Sequence, residues 1–274
     1  MSQEPATRRH RVGGLVFRTL TSSGPGTAIV VLVHGIGMSH RYLARLHRRL
    51  TAYATVVSVD LPGFGGLPRP AQDVDVTAMA DALADVLDEL LPARREGLVL
   101  VGQSMGTQWV TELAVRHPEL ADAVVLIGPV TDDRRRTVLA QAALLALDTL
   151  REPPGANALV FSDYLRCGPV WYLTQLRHML RYPIEDRVRG SGRRLLIVRG
   201  SRDPIAGRDW CRRLRDAARR GGTPVALVEI PGRAHNAQHS APGAVAAAIV
   251  HTLGDLLHRQ PENSSAPLSE SRNS

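Results

Sequence analysis

The chain has 274 residues, 44% of them hydrophobic, which is enough to bury one sizeable core and usual for a single α/β domain. Its formal charge of +8 raises nucleic acid as a partner, but the 34 basic residues are all Arg, scattered along the chain with a single run of three at 134–136. With no recognition motif and few aromatics to stack bases, composition argues against nucleic-acid binding.

Taken in chain order, residues 1–9 read as a flexible tail, 12–20 as an opening strand and 22–27 as a turn. The apolar run Ile29 to Val33 and a weaker strand at 54–59 bracket a basic helix from Arg41 to Leu50. Asp60-Leu61-Pro62-Gly63-Phe64-Gly65 opens a Gly/Pro loop reaching Pro70, in which Asp60 reads as a turn residue rather than a catalytic one. From Thr77 to Leu91 the residues Met79, Leu83, Val86, Leu87 and Leu90 recur on one helical face. A strand at 98–102 runs into Gly102-Gln103-Ser104-Met105-Gly106 and a helix that stops before His117-Pro118; a strand at 123–128 follows. Strand and helix alternate, which predicts a mostly parallel sheet flanked by helices.

The rhythm breaks at 132–189. Three helices are expected there, near 137–150, 156–166 and 169–182, and strand periodicity is missing. Five of the chain's aromatics, Phe161, Tyr164, Trp171, Tyr172 and Tyr182, fall in this segment. Phe161, Tyr164, Trp171 and Tyr172 are the candidates for an apolar wall over a site, although such rings also serve simply to pack helices. Arg166, Arg177 and Arg181 are candidates for holding a substrate carboxylate. Strands resume at 194–199 and 225–230 around a polar helix at 208–220, a last helix begins near Pro242, and 259–274 reads as a disordered tail. The division is therefore a core over 10–131 and 190–258 with a helical lid inserted at 132–189.

A buried strand that enters Gly-x-Ser-x-Gly and leaves as a helix is the pattern of a nucleophile elbow, which makes Ser104 the candidate nucleophile. Such a serine needs a base, an acid to orient the base and donors for an oxyanion. Asp203 stands just past the strand Leu195 to Val198, and His235 just past the strand Val225 to Ile230. Both therefore belong at the carboxyl edge of the sheet, where open α/β folds build their sites. Asp132 is an alternative acid and His239 an alternative base. Backbone N–H groups of Met105 and Ile36 are the expected oxyanion donors, and His34 is expected to shape the loop His34-Gly35-Ile36-Gly37.

These motifs together resemble the α/β-hydrolase family, specifically its lidded serine esterases and meta-cleavage-product hydrolases. The resemblance covers roughly residues 12–258 and implies Ser104 as nucleophile, His235 as base and Asp203 as acid. Two departures stand out. Thr107 and Gln108 occupy positions where a further Gly is common, and Asn236 stands where the carbon–carbon hydrolases usually carry Trp. A serine rather than an aspartate at 104 argues against the dehalogenase and epoxide-hydrolase branches.

The leading expectation is a cofactor-independent hydrolase, with no metal, acting on a carboxylic ester or lactone of a small, largely hydrophobic substrate. Hydrolysis of a carbon–carbon bond is the alternative, and a catalytically silent receptor or scaffold with this fold is the third reading. No run approaches the ~20 apolar residues of a membrane helix. Met1 to Arg11 lacks the apolar stretch of a signal peptide. Cys167 and Cys211 read as reduced thiols. A cytoplasmic protein without membrane contact is expected.

Overall fold

Five consecutive residues, Ile-Val-Val-Leu-Val, form strand β3 (Ile29–Val33), and every one is buried. A strand without polar positions needs both faces covered, which is the condition of an interior strand in a parallel sheet. In the computed structural model, which describes residues 4–91, 97–149 and 162–257, this condition is met by a layer of helices on each side. Ile29, Val31 and Val33 join one apolar layer, and Val30 and Leu32 join the other. That alternation is the period of two that a pleated strand imposes.

The eight strands are β1 (Ala6–Val12), β2 (Leu15–Ser22), β3, β4 (Thr55–Asp60), β5 (Leu98–Gln103), β6 (Ala123–Ile127), β7 (Arg194–Gly200) and β8 (Val225–Ile230). They lie in the order β1-β2-β4-β3-β5-β6-β7-β8, with β1 and β2 antiparallel and the remainder parallel. Helices α2 (Val76–Leu90), α3 (Gly106–Arg116) and α8 (Arg208–Arg220) supply Leu83, Trp109 and Trp210 to one apolar layer. Helices α1 (His40–Leu50) and α10 (Pro242–Leu257) supply Leu46 and Ile249 to the other. The start of α2 is set by Asp75, whose side chain accepts from the Ala78 N–H at 2.8 Å, an ordinary N-cap.

The first strand corrects the expectation of a tail over 1–9. Ala6–Val12 pairs with β2 as a hairpin whose turn is Gly13-Gly14, both at positive φ (53° and 81°). Two glycines of that conformation suit the twist of a two-residue hairpin. Arg8, Arg9 and Arg11 face solvent on this edge, while His10 is buried and bonds Thr19 Oγ1 at 3.0 Å. Charged residues along an edge strand discourage pairing with another chain.

Between β6 and β7 lie helix α4 (Val138–Thr149), the helical residues 162–167 (α5), α6 (Pro169–Arg181) and the single turn α7 (Ile184–Arg187). No strand occurs among the described residues of this insertion. Most of the helix expected at 156–166, with Phe161, and the tail at 259–274 lie outside the described residues. No helix among the described residues is long and apolar enough to cross a membrane. Cys167 and Cys211 are both free thiols, buried, and burial pushes the Cys167 thiol up to about 12.

Candidate active site

Ser104 is the only residue other than glycine, among those described, with a positive φ (54°). The strain is imposed from both sides. Its N–H donates to the Ile127 carbonyl at 2.9 Å, while its own carbonyl accepts from the Thr107 N–H at 3.0 Å and the Thr107 hydroxyl at 2.6 Å. The turn is so tight that a Cβ on Gly106 would lie 2.5 Å from the Val33 carbonyl oxygen, and one on Gly102 would collide with the Gly106 backbone. Both glycines of the motif are thus required by close approach. Non-glycine residues held in this region concentrate at functional sites.

Asp203 follows β7 and His235 follows β8, and the structure brings them together. The His235 Nδ1–H donates to Asp203 Oδ2 over 2.9 Å, with both side chains buried. The other carboxylate oxygen accepts from the N–H groups of Ile205 and Ala206, each at 2.8 Å. Burial alone would raise the Asp203 carboxyl; the adjacent His235 and the two backbone donors outweigh it and hold the group below its ordinary value. An anionic Asp203 fixes the imidazole with Nδ1 protonated, which turns Nε2 into the acceptor. Beneath this loop the buried Arg199 donates from Nε to the Ala206 carbonyl at 2.7 Å and pairs with Glu229 at 3.1 Å.

The alternatives are placed elsewhere. Asp132 accepts from Arg213 at 2.5 Å and caps a short 3-10 turn. His239 stacks on Tyr42 with ring centroids 5.0 Å apart. Asp60 sits at the centre of a buried network, receiving Arg18 and both the backbone N–H and the ring Nδ1–H of His40. His34 is fully enclosed; it donates from Nδ1 to the Gly35 carbonyl at 2.7 Å and accepts at Nε2 from the Leu61 N–H at 3.1 Å. Burial pulls its pKa down, in keeping with a neutral ring that ties the 34–37 loop to the 60–65 loop. Gly35 lies against Ser104: a Cβ there would be 2.8 Å from Ser104 Cβ. Ile36 lines the cavity with Ser104, and Met105, the next residue after Ser104, is the buried N-cap of α3.

That cavity is about 390 Å³ and opens onto both Ser104 and His235. Its walls include Ile36, Met38, Val130, Leu176, Met179 and Ile205. Of the aromatic candidates, Tyr164 and Tyr172 line it, their rings 5.1 Å apart. Trp171 does not. Its indole lies on the Gly63 backbone and 6.1 Å from Phe64, so the neighbouring position on α6 belongs to the core instead. Successive helical residues point about 100° apart, and Trp171 falls on the side of α6 that packs on the body, while Tyr172 and Leu173 line the cavity. The candidate arginines are not in the lining: Arg166 and Arg181 are exposed, and Arg177 pairs with Asp73 in solvent.

Several lining residues have no counterpart among the expected ones: Gln103, Gln141, Asp148 and Asn236. Gln108 explains one departure after the elbow: it donates to the Met179 carbonyl at 2.9 Å and so fastens α6 to α3. No group of three or more His, Cys, Asp or Glu among the described residues could hold a metal ion.

An alpha/beta hydrolase family model matches residues 30–248. Among curated proteins, an uncharacterized protein of Mycobacterium tuberculosis is 33% identical over 131 residues, 47% of this chain and 37% of that one. The dihydrolipoyllysine-residue acetyltransferase component of the acetoin cleaving system of Pseudomonas putida is 31% identical over 127 residues, 46% of this chain and 34% of that one. The matched stretches thus cover little more than a third of these relatives' own length. Among solved structures, a serine hydrolase involved in carbazole degradation superimposes with a TM-score of 0.75 at 21% identity, over 91% of this chain and 99% of that one. The enol-lactonase of Burkholderia xenovorans gives 0.75 at 18%, over 90% and 100%. An esterase of Thermogutta terrifontis gives 0.74 at 19%, over 93% and 99%. The eight-stranded sheet, its order and the extent of the family match lead to one conclusion: the chain belongs to the alpha/beta hydrolase family.

Proposed function

We propose that the protein is a serine hydrolase that cleaves a carboxylic ester or lactone of a small, largely hydrophobic substrate through an acyl-enzyme. The observation that carries this reading is the 2.9 Å bond between Asp203 and His235, with His235 lining the same apolar cavity as the strained Ser104. Ser104 Oγ attacks the carbonyl carbon while its proton passes to His235 Nε2. The oxyanion is held by the N–H groups of Met105 and Ile36. His235 returns the proton to the leaving alkoxide oxygen, leaving the acyl-serine ester. Water then attacks that ester with His235 again as base, and the carboxylic acid departs as Ser104 regains its proton. Residues 132–189 serve as the lid that supplies one wall of the cavity, and no metal or organic cofactor takes part.

Carbon–carbon bond hydrolysis has less support. Its dienoate substrates carry a carboxylate, whereas the described residues lining the cavity include the carboxyl side chain of Asp148 and no arginine. Asn236, too, replaces the Trp usual in that branch.

A fluorophosphonate probe is expected to label Ser104, and Ser104→Ala to lower turnover of every p-nitrophenyl ester by several orders of magnitude. Turnover of a ring-fission dienoate with esters untouched would transfer the assignment to the carbon–carbon class. Folded protein that neither reacts with the probe nor changes on Ser104→Ala would leave the receptor reading.

A further inference from the structure

Asn236 has no task in the chemistry above, and neither has Asp148, yet both line the cavity and both are buried. The backbone N–H of His235 donates to Asp148 Oδ1 over 2.9 Å. Asn236 Nδ2 donates to Asp148 Oδ2 over 3.4 Å, and Gln103 Nε2 donates to Asn236 Oδ1 over 3.5 Å. Gln103 Oε1 in turn faces the oxyanion loop, where a Cβ on Gly35 would lie 2.8 Å from it.

The chain of contacts thus runs from the residue before the nucleophile to the residue after the base. It ends on a carboxylate brought by α4, 87 residues away from His235 along the sequence. An amide can be turned either way, but here both Asp148 oxygens accept, which turns Asn236 Nδ2 toward Asp148 and leaves Asn236 Oδ1 to accept from Gln103. Sinking a carboxylate at 2% exposure is costly, and an apolar side chain would pack α4 at less expense.

We propose that Asp148 is a positioning residue for His235. By accepting from the His235 backbone and orienting Asn236 and Gln103, it holds the base in register with the carboxyl end of β5. The site is then complete only while α4 is docked. This inference rests on the serine-hydrolase reading of the site.

Two variants separate positioning from packing. Asp148→Ala removes both acceptors, whereas Asp148→Asn keeps one for the His235 N–H and lets the two amides flip to match. With a short-chain p-nitrophenyl ester, Asp148→Ala is expected to lower kcat about 10²-fold, the loss attached to a misplacement of roughly 1 Å. KM should change little, and Asp148→Asn should recover most of the rate. A folded Asp148→Ala enzyme with wild-type kcat, altered only in KM or melting temperature, overturns the proposal.

Should Asp148→Ala not fold, Asn236→Ala carries the same reading. A loss of about tenfold in kcat supports it, and an unchanged kcat overturns it. If the wild-type protein hydrolyses no ester and resists the probe, the serine-hydrolase reading falls by itself. Positioning is then read from the low-field proton resonance of the His235–Asp203 hydrogen bond, identified by its loss in His235→Gln. That resonance is expected to survive in Asp148→Asn and to broaden away in Asp148→Ala; survival in both overturns the proposal.

Discussion

The two halves of the insertion are attached to the body by different means. From the second half, Trp171, Leu176, Met179, Tyr182 and Ile184 enter the main apolar layer. Polar bonds fasten the same half: Gln175 donates to the Val74 carbonyl at 2.8 Å, and Gln108 and Thr131 both donate to the Met179 carbonyl at 2.9 Å. Glu112 on α3 accepts from the Tyr182 hydroxyl at 2.8 Å and from two nitrogens of Arg187 at 2.7 Å. Among the described residues of the first half, α4 and α5, Leu144 and Cys167 meet the apolar layer and two buried aspartates bond to the body. Asp148 binds the His235 loop, and Asp163 accepts from Ser39 at 2.6 Å and from Arg41 at 3.1 Å.

The difference is one of energetics. Undocking the second half would expose core surface and orphan several buried polar groups at once. Among the described residues, releasing the first half breaks the bonds of these aspartates, while Val138, Leu139 and Leu165 already face solvent at 53%, 83% and 68% exposure. Regions that open at low free energy are those with few buried apolar contacts. This first half also carries Asp148, which meets the His235 backbone, and Tyr164, which lies against the 34–37 loop at Gly37.

This contrast can be broken most forcefully at Trp171. Trp171→Ala is expected to cost about 4 kcal/mol of unfolding free energy, as other large aromatic truncations in cores do. Denaturant titration checks it; a loss under about 1 kcal/mol would mean that α6 is not anchored through this ring. Tyr172, the next residue, is expected to behave in the opposite way. Tyr172→Ala should leave stability nearly unchanged but shift the preference between short and long acyl chains about tenfold, a step of the size one methylene contributes in an apolar pocket. Kinetics along a chain-length series decide this, and a uniform loss of rate in folded protein would remove Tyr172 from the selective wall.

The smallest effect is expected at Asp163. Asp163→Asn retains one acceptor, and its Arg41 partner is partly exposed, so about 1 kcal/mol of local stability is at stake. Amides of α5 should exchange hydrogen roughly fivefold faster while those of α6 stay as in wild type. Equal acceleration in both helices would show that the insertion moves as one piece.

Much of the architecture was legible because its signals are local. Val-Ile-Leu runs of four or five residues marked the interior strands, and the Gly-x-Ser-x-Gly turn marked the strained serine between β5 and α3. The opening hairpin was missed because Arg8, Arg9 and Arg11 mask its alternation. The Gly13-Gly14 pair was the turn signal that would have revealed it.

Asp203 and His235 could be nominated from their places just after β7 and β8, since parallel strands deliver their carboxyl ends to one edge. Nothing local distinguished Tyr172 from Trp171, or singled out Asp148 near the end of the mostly apolar helix Val138–Thr149. Sequence by itself determined the order of strands and helices, the sharp turn at Ser104 and the edge to which acid and base are carried, because strand period and turn chemistry act over a few residues. Tertiary structure alone decided which insertion residues face the cavity and which carboxylate meets the His235 backbone. Those contacts join residues tens of positions apart, and the docking of whole helices sets them rather than any neighbouring residue.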